Sequence, residues 1–461
     1  MFDLKDRKVL VLGLGDTGLS MTRWLARHGA RVSVADSRAA PPNVETLARE
    51  LPQVSVTPGA FRHESFTGID LIAISPGVDR RESQVARAIK HGVPIAGDVE
   101  LFAQGMRAAG AAPKVIAITG SNGKSTVTEM AGAMCRAAQL NTLVAGNIGL
   151  PVLDALSDIE AGKPAPDAVV LELSSFQLES TNTLDADAAA MLNLSEDHLD
   201  RYDSMRDYAA AKARVFAGGG MQVLNRDDAG SLGMARAGRV VETFGLNAPK
   251  NNSEWGLNEY HGRQMLARGE TRLMAVDELP VAGLHNAANA MAAAALCRAI
   301  SISDASITQA LRAFKGLPHR AENINKINNI QVYDDSKGTN VGATVAALTG
   351  MPQRVVLIAG GDGKGQDFSP LTVAVAARAR AVVLIGRDAP LIAQVLKKTG
   401  VPLLNADSMD EAVRIAYRAA QAGDAVLLSP ACASYDMFKS YVHRAQVFVE
   451  CVRKLREAEG A

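Results

Sequence analysis

VIAITGSNGKST, the stretch Val115–Thr126, joins an apolar β-branched run to a glycine-rich turn and then to the start of a helical pattern. Glycines let backbone N–H groups close around a phosphate, and a helix N-terminus adds positive potential there. In this arrangement Lys124 can reach the β- and γ-phosphates of a nucleotide, and the Ser125 hydroxyl can bind Mg²⁺. The first glycine of the strict P-loop pattern is absent, so the turn depends on Gly120 and Gly123. The stretch predicts a nucleoside triphosphate site, with an ordinary strand-to-helix turn as the alternative.

The composition is that of a multidomain globular protein. The chain has 461 residues, which is too many for one hydrophobic core, and 48% of them are apolar. Basic and acidic residues both total 49, so no basic excess favours a nucleic-acid partner. No apolar run reaches the roughly 18 residues of a membrane span, and the first residues do not form a signal-peptide pattern. The four cysteines are scattered, which favours a reducing compartment. We expect a cytoplasmic monomer that binds neither nucleic acid nor membrane.

Alternating strand and helix patterns predict an α/β fold with mostly parallel sheets. The main predicted strands are Lys8–Leu12, Val32–Ala35, Leu71–Ile74, Ala168–Leu173, Ala188–Leu194, Val355–Ala359, Ala381–Ile385 and Ala425–Leu428. A β-rich section is predicted over Met221–Arg272, followed by a helix near His285–Ala299. Glycine, alanine and proline at Gly105–Pro113 predict a linker, and Gly316–Pro318 predicts a second boundary. The predicted domains are therefore residues 1–112, 113–316 and 317–461.

A second glycine motif, Gly13-x-Gly15-x-x-Gly18, lies between the first predicted strand and helix. In isolation it is a dinucleotide-binding fingerprint in which Asp36 would bind a ribose hydroxyl, so an NAD-dependent oxidoreductase is one hypothesis. Because the chain also carries the triphosphate loop, the motif is better assigned to a nucleotide-bearing substrate. A tight turn that binds nothing, and a non-catalytic nucleotide-binding regulator, are the remaining alternatives.

Three polar residues of the central part are candidate metal ligands. Glu172 ends a buried run beside the phosphate loop, where a carboxylate can bind Mg²⁺ directly or through water. His198 follows the next strand and can bind a metal or orient a substrate, although a single histidine is more often structural. Lys212 lies one helical turn past Tyr208, where most lysines are solvated. A neutral, desolvated lysine can instead take up CO₂ and become an anionic carbamate ligand.

Polar groups of the C-terminal part follow predicted strands or domain joins, where ligand sites of α/β proteins form. These groups are His319–Arg320, Asp334–Asn340, Gly360–Lys364 and Ser429–Ser434. Arg320 and Lys337 can neutralise a transferring phosphoryl group, and Lys364 suits a small carboxylate ligand. Each group alone is consistent with an ordinary polar loop, but the four together favour a ligand site.

Taken together, the motifs resemble those of the Mur ligases of peptidoglycan synthesis over essentially the whole chain. They are Gly13–Gly18, Thr119–Thr126, Gly146–Gly149, Leu171–Glu179, Glu196–Arg201, His285–Asn289 and Asp335–Asn340. The resemblance implies a Rossmann-like N-terminal domain for a uridine diphosphate group, a P-loop-type central ATPase domain and a Rossmann-like C-terminal domain for an amino acid. It also implies ATP- and Mg²⁺-dependent addition of D-glutamate to UDP-N-acetylmuramoyl-L-alanine through an acyl phosphate. The Asp-Asn-Pro-Arg pattern of relatives that add meso-diaminopimelate is absent.

The same resemblance assigns roles to individual residues. Those implied to bind ATP are Gly120, Ser121, Asn122, Gly123, Lys124, Ser125, Thr126, Asn289, Arg320, Asp335 and Lys337. Those implied to bind the substrates are Asp16, Thr17, Asp36, Arg38, Gly77, Asn147, Thr339, Lys364, Ser434, Tyr435 and Tyr441, with Thr339, Lys364 and Ser434 on the glutamate carboxylates. Those implied to bind Mg²⁺ are Ser125, Glu172, His198 and Lys212, the last as a CO₂-derived carbamate. The implied catalytic residues are Lys124, Asn147, His198, Lys212 and Arg320.

Overall fold

The computed structural model describes residues 3–281 and 283–460. Over these residues the chain has the expected α/β architecture, with three sheets that are largely parallel. Met1 and Phe2, which open the segment assessed for a signal peptide, lie outside the described residues.

The N-terminal sheet is parallel throughout the described residues. Its strands are β1 (Lys8–Leu12), β2 (Arg31–Asp36), β3 (Ser55–Pro58), β4 (Leu71–Ile74) and β5 (Ile95–Ala96). Its helices are α1 (Asp16–Arg27), α2 (Val44–Glu50), α3 (Ser83–Lys90) and α4 (Asp98–Ala108). The strand order is β3-β2-β1-β4-β5, so the glycine motif after β1 opens at the centre of the sheet. Ligand sites of open α/β sheets form at such a point, outside the carboxyl ends of the strands.

The central part begins with parallel strands and continues into antiparallel ones. Its strands are β6 (Lys114–Thr119), β7 (Thr142–Gly146), β8 (Ala168–Glu172), β9 (Ala188–Met191), β10 (Met221–Asn225), β11 (Val241–Phe244), β12 (Glu254–Tyr260), β13 (Arg263–Arg268) and β14 (Thr271–Ala275). Its helices are α5 (Lys124–Ala137), α6 (Val152–Glu160), α7 (Ser175–Glu179), α8 (Met205–Ala213), α9 (Ala229–Leu232), α10 (Leu284–Ala299) and α11 (Asp304–Ala313). The parallel strands run in the order β11-β10-β9-β6-β8-β7, and β12, β13 and β14 form an antiparallel meander.

The C-terminal sheet is parallel except for its first pair of strands. Its strands are β15 (Glu322–Ile327), β16 (Ile330–Asp334), β17 (Val355–Ala359), β18 (Ala379–Leu384), β19 (Leu403–Asn405) and β20 (Ala425–Leu428). Its helices are α12 (Val341–Gly350), α13 (Leu371–Arg378), α14 (Ala389–Leu396), α15 (Met409–Ala419) and α16 (Tyr441–Ala458). The order is β15-β16-β20-β17-β18-β19, and β15 is antiparallel to β16. Apolar side chains on both faces of this sheet form two core clusters.

By the packing of its Cα atoms the chain divides into two compact units. The first comprises Met1–Leu192, Arg206–Phe244 and Ala292–Ala310, and it contains the N-terminal sheet and the parallel strands of the central part. The second comprises Asn193–Met205, Gly245–Met291 and Leu311–Ala461, and it contains the antiparallel meander and the C-terminal sheet.

The strand predictions are mostly confirmed. Those at Lys8–Leu12, Leu71–Ile74, Val355–Ala359 and Ala425–Leu428 match the observed strands end to end. Such runs are apolar at consecutive positions because helices cover both faces of a parallel sheet. The prediction of a strand continuing to Leu194 is wrong, since β9 ends at Met191 and the segment Asn193–Met205 belongs to the second unit.

The predicted linker at Gly105–Pro113 is also wrong in its first part, because α4 continues to Ala108. A Cβ atom on Gly105 would lie 2.4 Å from a methyl carbon of Leu156 and 3.1 Å from the Trp24 ring. Glycine is therefore needed at this position for the close approach of α4 to α6 and α1, and it does not mark a break in the chain.

Candidate functional site

The phosphate loop has the predicted strand–turn–helix geometry. Gly123 caps α5 with a left-handed backbone (φ 83°), a conformation that disfavours residues with a side chain. The Lys124 amine donates hydrogen bonds to the carbonyl oxygens of Gly120 and Ser121, at 2.9 and 3.0 Å. Ser125 is only 5% exposed at the start of α5. The loop thus holds the Lys124 amine against its own carbonyl oxygens and buries Ser125 at the start of α5, where the helix N-terminus gives a positive potential.

Lys212 lies against the same loop. Its side chain is 1% exposed, and its amine donates to the Gly120 carbonyl oxygen at 2.8 Å. The amine also lies 4.6 Å from the centre of the Tyr208 ring, and the Tyr208 hydroxyl is 3.3 Å from the Ser121 hydroxyl. The interpretation of Lys212 as an ordinary solvated helix residue is therefore wrong, because α8 buries it beside the phosphate loop.

Glu172 ends β8, the strand next to β6, and its side chain is 2% exposed. Its Oε1 atom accepts a hydrogen bond from the Asn147 side-chain amide at 2.7 Å, whereas Oε2 is buried and has no hydrogen-bond partner among the described residues. The nearby Gly146 has φ 109°, and a Cβ atom there would lie 2.2 Å from the Glu172 carbonyl oxygen. A buried carboxylate oxygen without a partner is costly, so it marks a position where a cation would be stabilising.

A cleft of about 500 Å³ lies at the glycine motif after β1, and we call it the glycine-loop cleft. Its lining residues are Gly13, Gly15, Asp16, Thr17, Asp36, Ser37, Arg38, Ser75, Pro76, Gly77, Val78, Gly146, Asn147 and Gln177. A Cβ atom on Gly18 would lie 1.8 Å from the Gly13 carbonyl oxygen, so the third glycine is needed for close packing of α1 on the loop. Six of the residues expected to bind the substrates line this one cleft: Asp16, Thr17, Asp36, Arg38, Gly77 and Asn147.

Asp36 organises one wall of this cleft. Its carboxylate accepts hydrogen bonds from the Leu14 backbone N–H at 2.6 Å and from the Arg38 backbone N–H at 2.9 Å. The Arg38 guanidinium also binds it, and these bonds lower the pKa of Asp36 to about 2. Both oxygens are thus engaged by protein groups, and the Arg38 side chain, which is half exposed, remains at the cleft. This arrangement suits an anionic ligand better than a ribose held by a free carboxylate.

In the second unit, the Arg320 segment and the Lys337 loop are held together by His319. The His319 imidazole Nδ1 lies 2.7 Å from an Asp334 carboxylate oxygen, and its backbone N–H donates to Glu322 at 2.9 Å. The His319 carbonyl oxygen accepts from the Lys337 backbone N–H at 3.1 Å. Although His319, Glu322 and Asp334 present possible metal-ligating atoms within 4.8 Å of one another, their mutual contacts already explain the cluster.

Asp335 lies in the interior of the same loop. Its carboxylate accepts from the Ser429 hydroxyl at 2.7 Å and from the Ala321 backbone N–H at 3.1 Å. Burial raises the pKa of Asp335 to about 7. A Cβ atom on Gly338 would lie 2.6 Å from this carboxylate, so a glycine lets the loop close over it. The Lys337 amine lies 4.0 Å from the centre of the Tyr441 ring.

The two loops expected to bind glutamate are joined by a backbone bridge. The Asp362 and Ala433 N–H groups each donate to the other's carbonyl oxygen, at 3.0 and 2.8 Å. This pairing places Lys364, which is exposed, and Ser434, which is 3% exposed, on neighbouring loops. Tyr435 is 72% exposed beside them. Thr339 precedes Asn340, whose side chain caps α12 by accepting from the Ala343 N–H.

The remaining expected residues divide between the units. His198 has a left-handed backbone (φ 56°) in a segment of the second unit, where its neighbour Asp197 accepts from the Asn340 side chain at 3.3 Å. Asn289 lies near the start of α10, 3.4 Å from the Asn286 side chain. Glu172 and Lys212 belong to the first unit, so the four expected metal ligands are not all within one unit.

Several residues with evident roles were missed by sequence reasoning. Ser75 and Gln177 line the glycine-loop cleft but lie outside its glycine motif. Arg444 is 2% exposed, and its guanidinium donates to the Ser336 and Cys432 carbonyl oxygens at 2.8 and 3.1 Å. Burial lowers the pKa of Arg444 to about 10. Gln177 lies within the motif Leu171–Glu179 but was given no role, whereas the contact of Arg444 with Ser336 joins segments 108 residues apart.

Comparison with known proteins identifies the family. The model described as "Mur ligase MurD-like, N-terminal domain" matches residues 7–97, "Mur ligase middle domain" matches 118–297, and "Mur ligase, glutamate ligase domain" matches 319–432. A relative from Methylobacillus flagellatus named UDP-N-acetylmuramoylalanine–D-glutamate ligase is 58% identical over 459 residues, covering 100% of this chain and 99% of its own. The chain belongs to the Mur ligase family. A relative of the same name from Thiobacillus denitrificans is also 58% identical, covering 98% of this Mur ligase and 97% of its own chain.

Solved structures share the fold at lower identity. A pseudomurein peptide ligase type C from Methanothermus fervidus superposes with a TM-score of 0.60 at 18% identity, covering 98% of this Mur ligase and all of that chain. The UDP-N-acetylmuramate–alanine ligase MurC of Thermotoga maritima gives 0.58 at 20% identity, covering 97% and 99%. These likenesses confirm the three-domain α/β architecture. Among the described residues, no helix combines the length and apolar character needed to cross a membrane.

Proposed function

We propose that this Mur ligase joins D-glutamate to UDP-N-acetylmuramoyl-L-alanine during peptidoglycan precursor synthesis, while ATP is converted to ADP and phosphate. The observation that carries the proposal is the 58% identity, over the full chain, to relatives named for that reaction. The phosphate loop and the residues proposed to bind the substrates all lie within the length matched by the Methylobacillus flagellatus relative, which covers 100% of this chain. The proposed domains are residues 1–112, 113–316 and 317–461, and the proposed setting is a monomer in the cytoplasm.

The chemistry follows from the low reactivity of a carboxylate. Transfer of the γ-phosphoryl group of ATP to the terminal alanine carboxylate gives an acyl phosphate with a good leaving group. The neutral amine of glutamate then attacks the carbonyl carbon, and the tetrahedral intermediate collapses to an amide and inorganic phosphate. Lys124, Arg320 and Lys337 would offset negative charge during phosphoryl transfer, since preorganised cations stabilise such a transition state. Asn147 and His198 would orient the reacting groups.

Mur ligases use Mg²⁺ with ATP, and the donor set of this chain fits that ion. The buried, unpartnered Oε2 atom of Glu172 is a hard oxygen ligand, as is the Ser125 hydroxyl at the start of α5. We assign Ser125, Glu172, His198 and Lys212 as the residues that would hold the metal. When bound, Mg²⁺ supplies charge neutralisation to the phosphate groups.

Lys212 is proposed to act as a carbamate. Desolvation of a buried amine favours its neutral, CO₂-reactive form, and Lys212 is 1% exposed. Reaction of the amine with CO₂ forms an N–C bond and releases one proton, which leaves one N–H on the nitrogen. That N–H could keep the hydrogen bond to the Gly120 carbonyl oxygen while the carboxylate end serves as an anionic ligand.

The glycine-loop cleft is the proposed site of the uridine diphosphate group. Its lining includes Asp16 and Thr17 at the start of α1, together with Arg38, Gly77 and Asn147. A helix N-terminus and a guanidinium both attract phosphate oxygens. In the C-terminal domain, Thr339, Lys364 and Ser434 would bind the glutamate carboxylates, with Tyr435 and Tyr441 beside them. Asn289 and Asp335 would contact the nucleotide.

The decisive experiment measures ADP and phosphate release with UDP-N-acetylmuramoyl-L-alanine and a panel of amino acids. We expect turnover only when ATP, the UDP-linked acid and D-glutamate are all present, with L-glutamate and meso-diaminopimelate inactive. Equal ATP cleavage without the UDP-linked acid would overturn the proposed reaction, and turnover with another amino acid alone would overturn the assignment of D-glutamate.

The same assay separates the alternatives. An NAD-dependent oxidoreductase finds no support in the family assignment, and the engagement of Asp36 by Leu14 and Arg38 argues against a ribose contact. A non-catalytic regulator would bind ATP without forming an amide. Detection of the amide product by mass spectrometry therefore rejects that hypothesis.

A further inference from the structure

Gln177 is the one residue from α7 that lines the glycine-loop cleft, as far as the described residues show. Its side chain is 3% exposed, so its few polar contacts fix its orientation. The Oε1 atom accepts hydrogen bonds from the backbone N–H and the hydroxyl of Ser174, both at 3.2 Å. In return, the Ser174 hydroxyl accepts from the Gln177 backbone N–H at 3.2 Å. The carbonyl end of the Gln177 amide is therefore committed to the capping box that starts α7.

The amino end of the same amide points at Asp98. The Gln177 Nε2 atom donates to the Asp98 Oδ2 atom at 3.2 Å, which uses one of its two N–H groups. The second N–H has no protein acceptor among the described residues. A side-chain amide that is held at both ends, and that lines a cleft, has one donor left for a ligand.

Asp98 is an unusual residue for its surroundings. It is the first residue of α4, it is 4% exposed, and its Oδ1 atom has no hydrogen-bond partner among the described residues. Burial raises the pKa of Asp98 to about 6, so the ionised form is held at a cost to the folded state. A residue kept only for packing would be better served by an apolar side chain of the same shape.

Glu100, two residues further along α4, is an acidic residue whose hydrogen bonds have a purely structural role, and it serves as a comparison for Asp98. Its carboxylate accepts from the backbone N–H groups of Asn182 and Thr183 at 2.6 and 2.8 Å, and from the Thr183 hydroxyl at 2.7 Å. These bonds join α4 to the chain after α7, and none of the three hydrogen-bond partners of Glu100 (Gln104, Asn182 and Thr183) lines the cleft. Asp98 makes no such set of contacts, because its side-chain partner is Gln177.

From this geometry we infer that Asp98 is a positioning residue for the substrate: it fixes the Gln177 amide so that its second N–H faces the anionic part of the UDP-linked acid. The inference rests on the proposed function, since it takes the glycine-loop cleft as the site of the diphosphate group. Asp98 begins α4, behind the cleft lining, and Gln177 belongs to α7, so the hydrogen bond between them links α4 to a residue that lines the cleft.

A double-mutant cycle tests this role, with Asp98→Leu, Gln177→Ala and the double variant compared by the KM for each substrate. We expect each single variant to raise the KM for the UDP-linked acid about tenfold, the scale of one lost hydrogen bond to a charged group, with the KM for ATP and kcat little changed. We expect the double variant to be no worse than Gln177→Ala alone, because Asp98 acts through Gln177. Additive losses would overturn the inference.

Two further variants keep the test independent of folding. Asp98→Asn keeps an acceptor for the Gln177 amide, so its KM should return to within about twofold of the wild-type value. Glu100→Gln is the matched control: it should lower the melting temperature and leave the KM for the UDP-linked acid unchanged. If Asp98→Asn is as impaired as Asp98→Leu, or if Glu100→Gln raises that KM equally, the inference fails. Failure of the proposed function is distinct, since the wild-type protein would then not consume the UDP-linked acid at all.

Discussion

The Nζ atoms of Lys124 and Lys212 lie 2.9 and 2.8 Å from the same atom, the carbonyl oxygen of Gly120. If both amines were protonated they would repel each other, and burial reduces the screening of that repulsion, so a neutral form of one of them is favoured. Conversion of one of them into an anion would turn repulsion into attraction. Because Lys124 is the residue expected at the phosphates, Lys212 is the one whose conversion fits the site.

Replacement of Lys212 by alanine should therefore abolish turnover, with a loss of about 100-fold or more in kcat. A short carboxylic acid such as acetate or propionate, added to the buffer, should restore part of the activity by occupying the place of the carbamate. Lys212→Arg, which keeps the charge but cannot form a carbamate, should be inactive and should gain nothing from the acid. Full activity of Lys212→Arg, or the absence of any rescue of a correctly folded Lys212→Ala, would contradict the carbamate.

Replacement of Lys124 by alanine should lower kcat for phosphate release by about 100- to 1,000-fold, because it removes a preorganised charge from the phosphoryl group. The fold should persist, since the α5 core is formed by other residues, among them Val127, Met130 and Met134. Phosphate release and the melting temperature should be measured side by side. Arg136→Ala, at the exposed end of the same helix, is the matched control and should retain wild-type kcat. Near-normal turnover of Lys124→Ala would refute the ATP site.

The parts of the fold that the sequence predicted well are those in which local pattern and burial coincide. β17 (Val355–Ala359) is buried at every position, and a run of five apolar residues between an arginine and two glycines is typical of a buried strand. The linker prediction at Gly105 was wrong because the sequence does not show whether a glycine ends a helix or allows another helix to pack closely against it. Only the packing of Leu156 and Trp24 distinguishes the two cases.

Some residues of the candidate site could likewise be predicted from the sequence, and others could not. Lys124 and Ser125 could be predicted because the phosphate loop is continuous in sequence and its chemistry depends on spacing. The contact between Asp98 and Gln177 could not, since it joins two segments 79 residues apart and only Gln177 lies in a quoted motif, Leu171–Glu179. The burial of Lys212 was also hidden, because its helix has an apolar and polar pattern too weak to show which face is covered.

The buried Asp335 predicts a dependence of stability on pH. Its pKa is raised by burial to about 7, so the folded protein binds the proton more tightly than the unfolded chain does. Stability should therefore fall as pH rises from about 4 to about 7, by up to roughly 4 kcal/mol from this group. In Asp335→Asn this loss should be absent, so the variant should melt above the wild type at pH 8 and close to it at pH 4.

Melting curves at several pH values test this directly, with the exposed Asp407→Asn as a control that should not alter the pH dependence. The ATP KM of Asp335→Asn should rise at the same time, if Asp335 contacts the nucleotide as proposed. A variant that melts at or below the wild-type temperature at pH 8 would show that the Asp335 carboxylate is stabilised by its partners Ser429 and Ala321 more than burial penalises it.

His319 provides the last test, because its side chain and backbone together hold the Arg320 segment against the Lys337 loop. Its backbone is left-handed (φ 63°), a conformation that asparagine adopts more readily than alanine. The side-chain amide introduced by His319→Asn can also donate to Asp334 from about the position of Nδ1. We therefore expect His319→Asn to keep kcat within about fivefold of the wild type, and His319→Ala to lose about 100-fold through misplacement of Arg320 and Lys337. Steady-state kinetics at saturating substrates separate the two. If asparagine is as poor as alanine, the Nε2 atom or the ring itself takes part in the reaction, and the role of His319 is then more than that of holding two loops together.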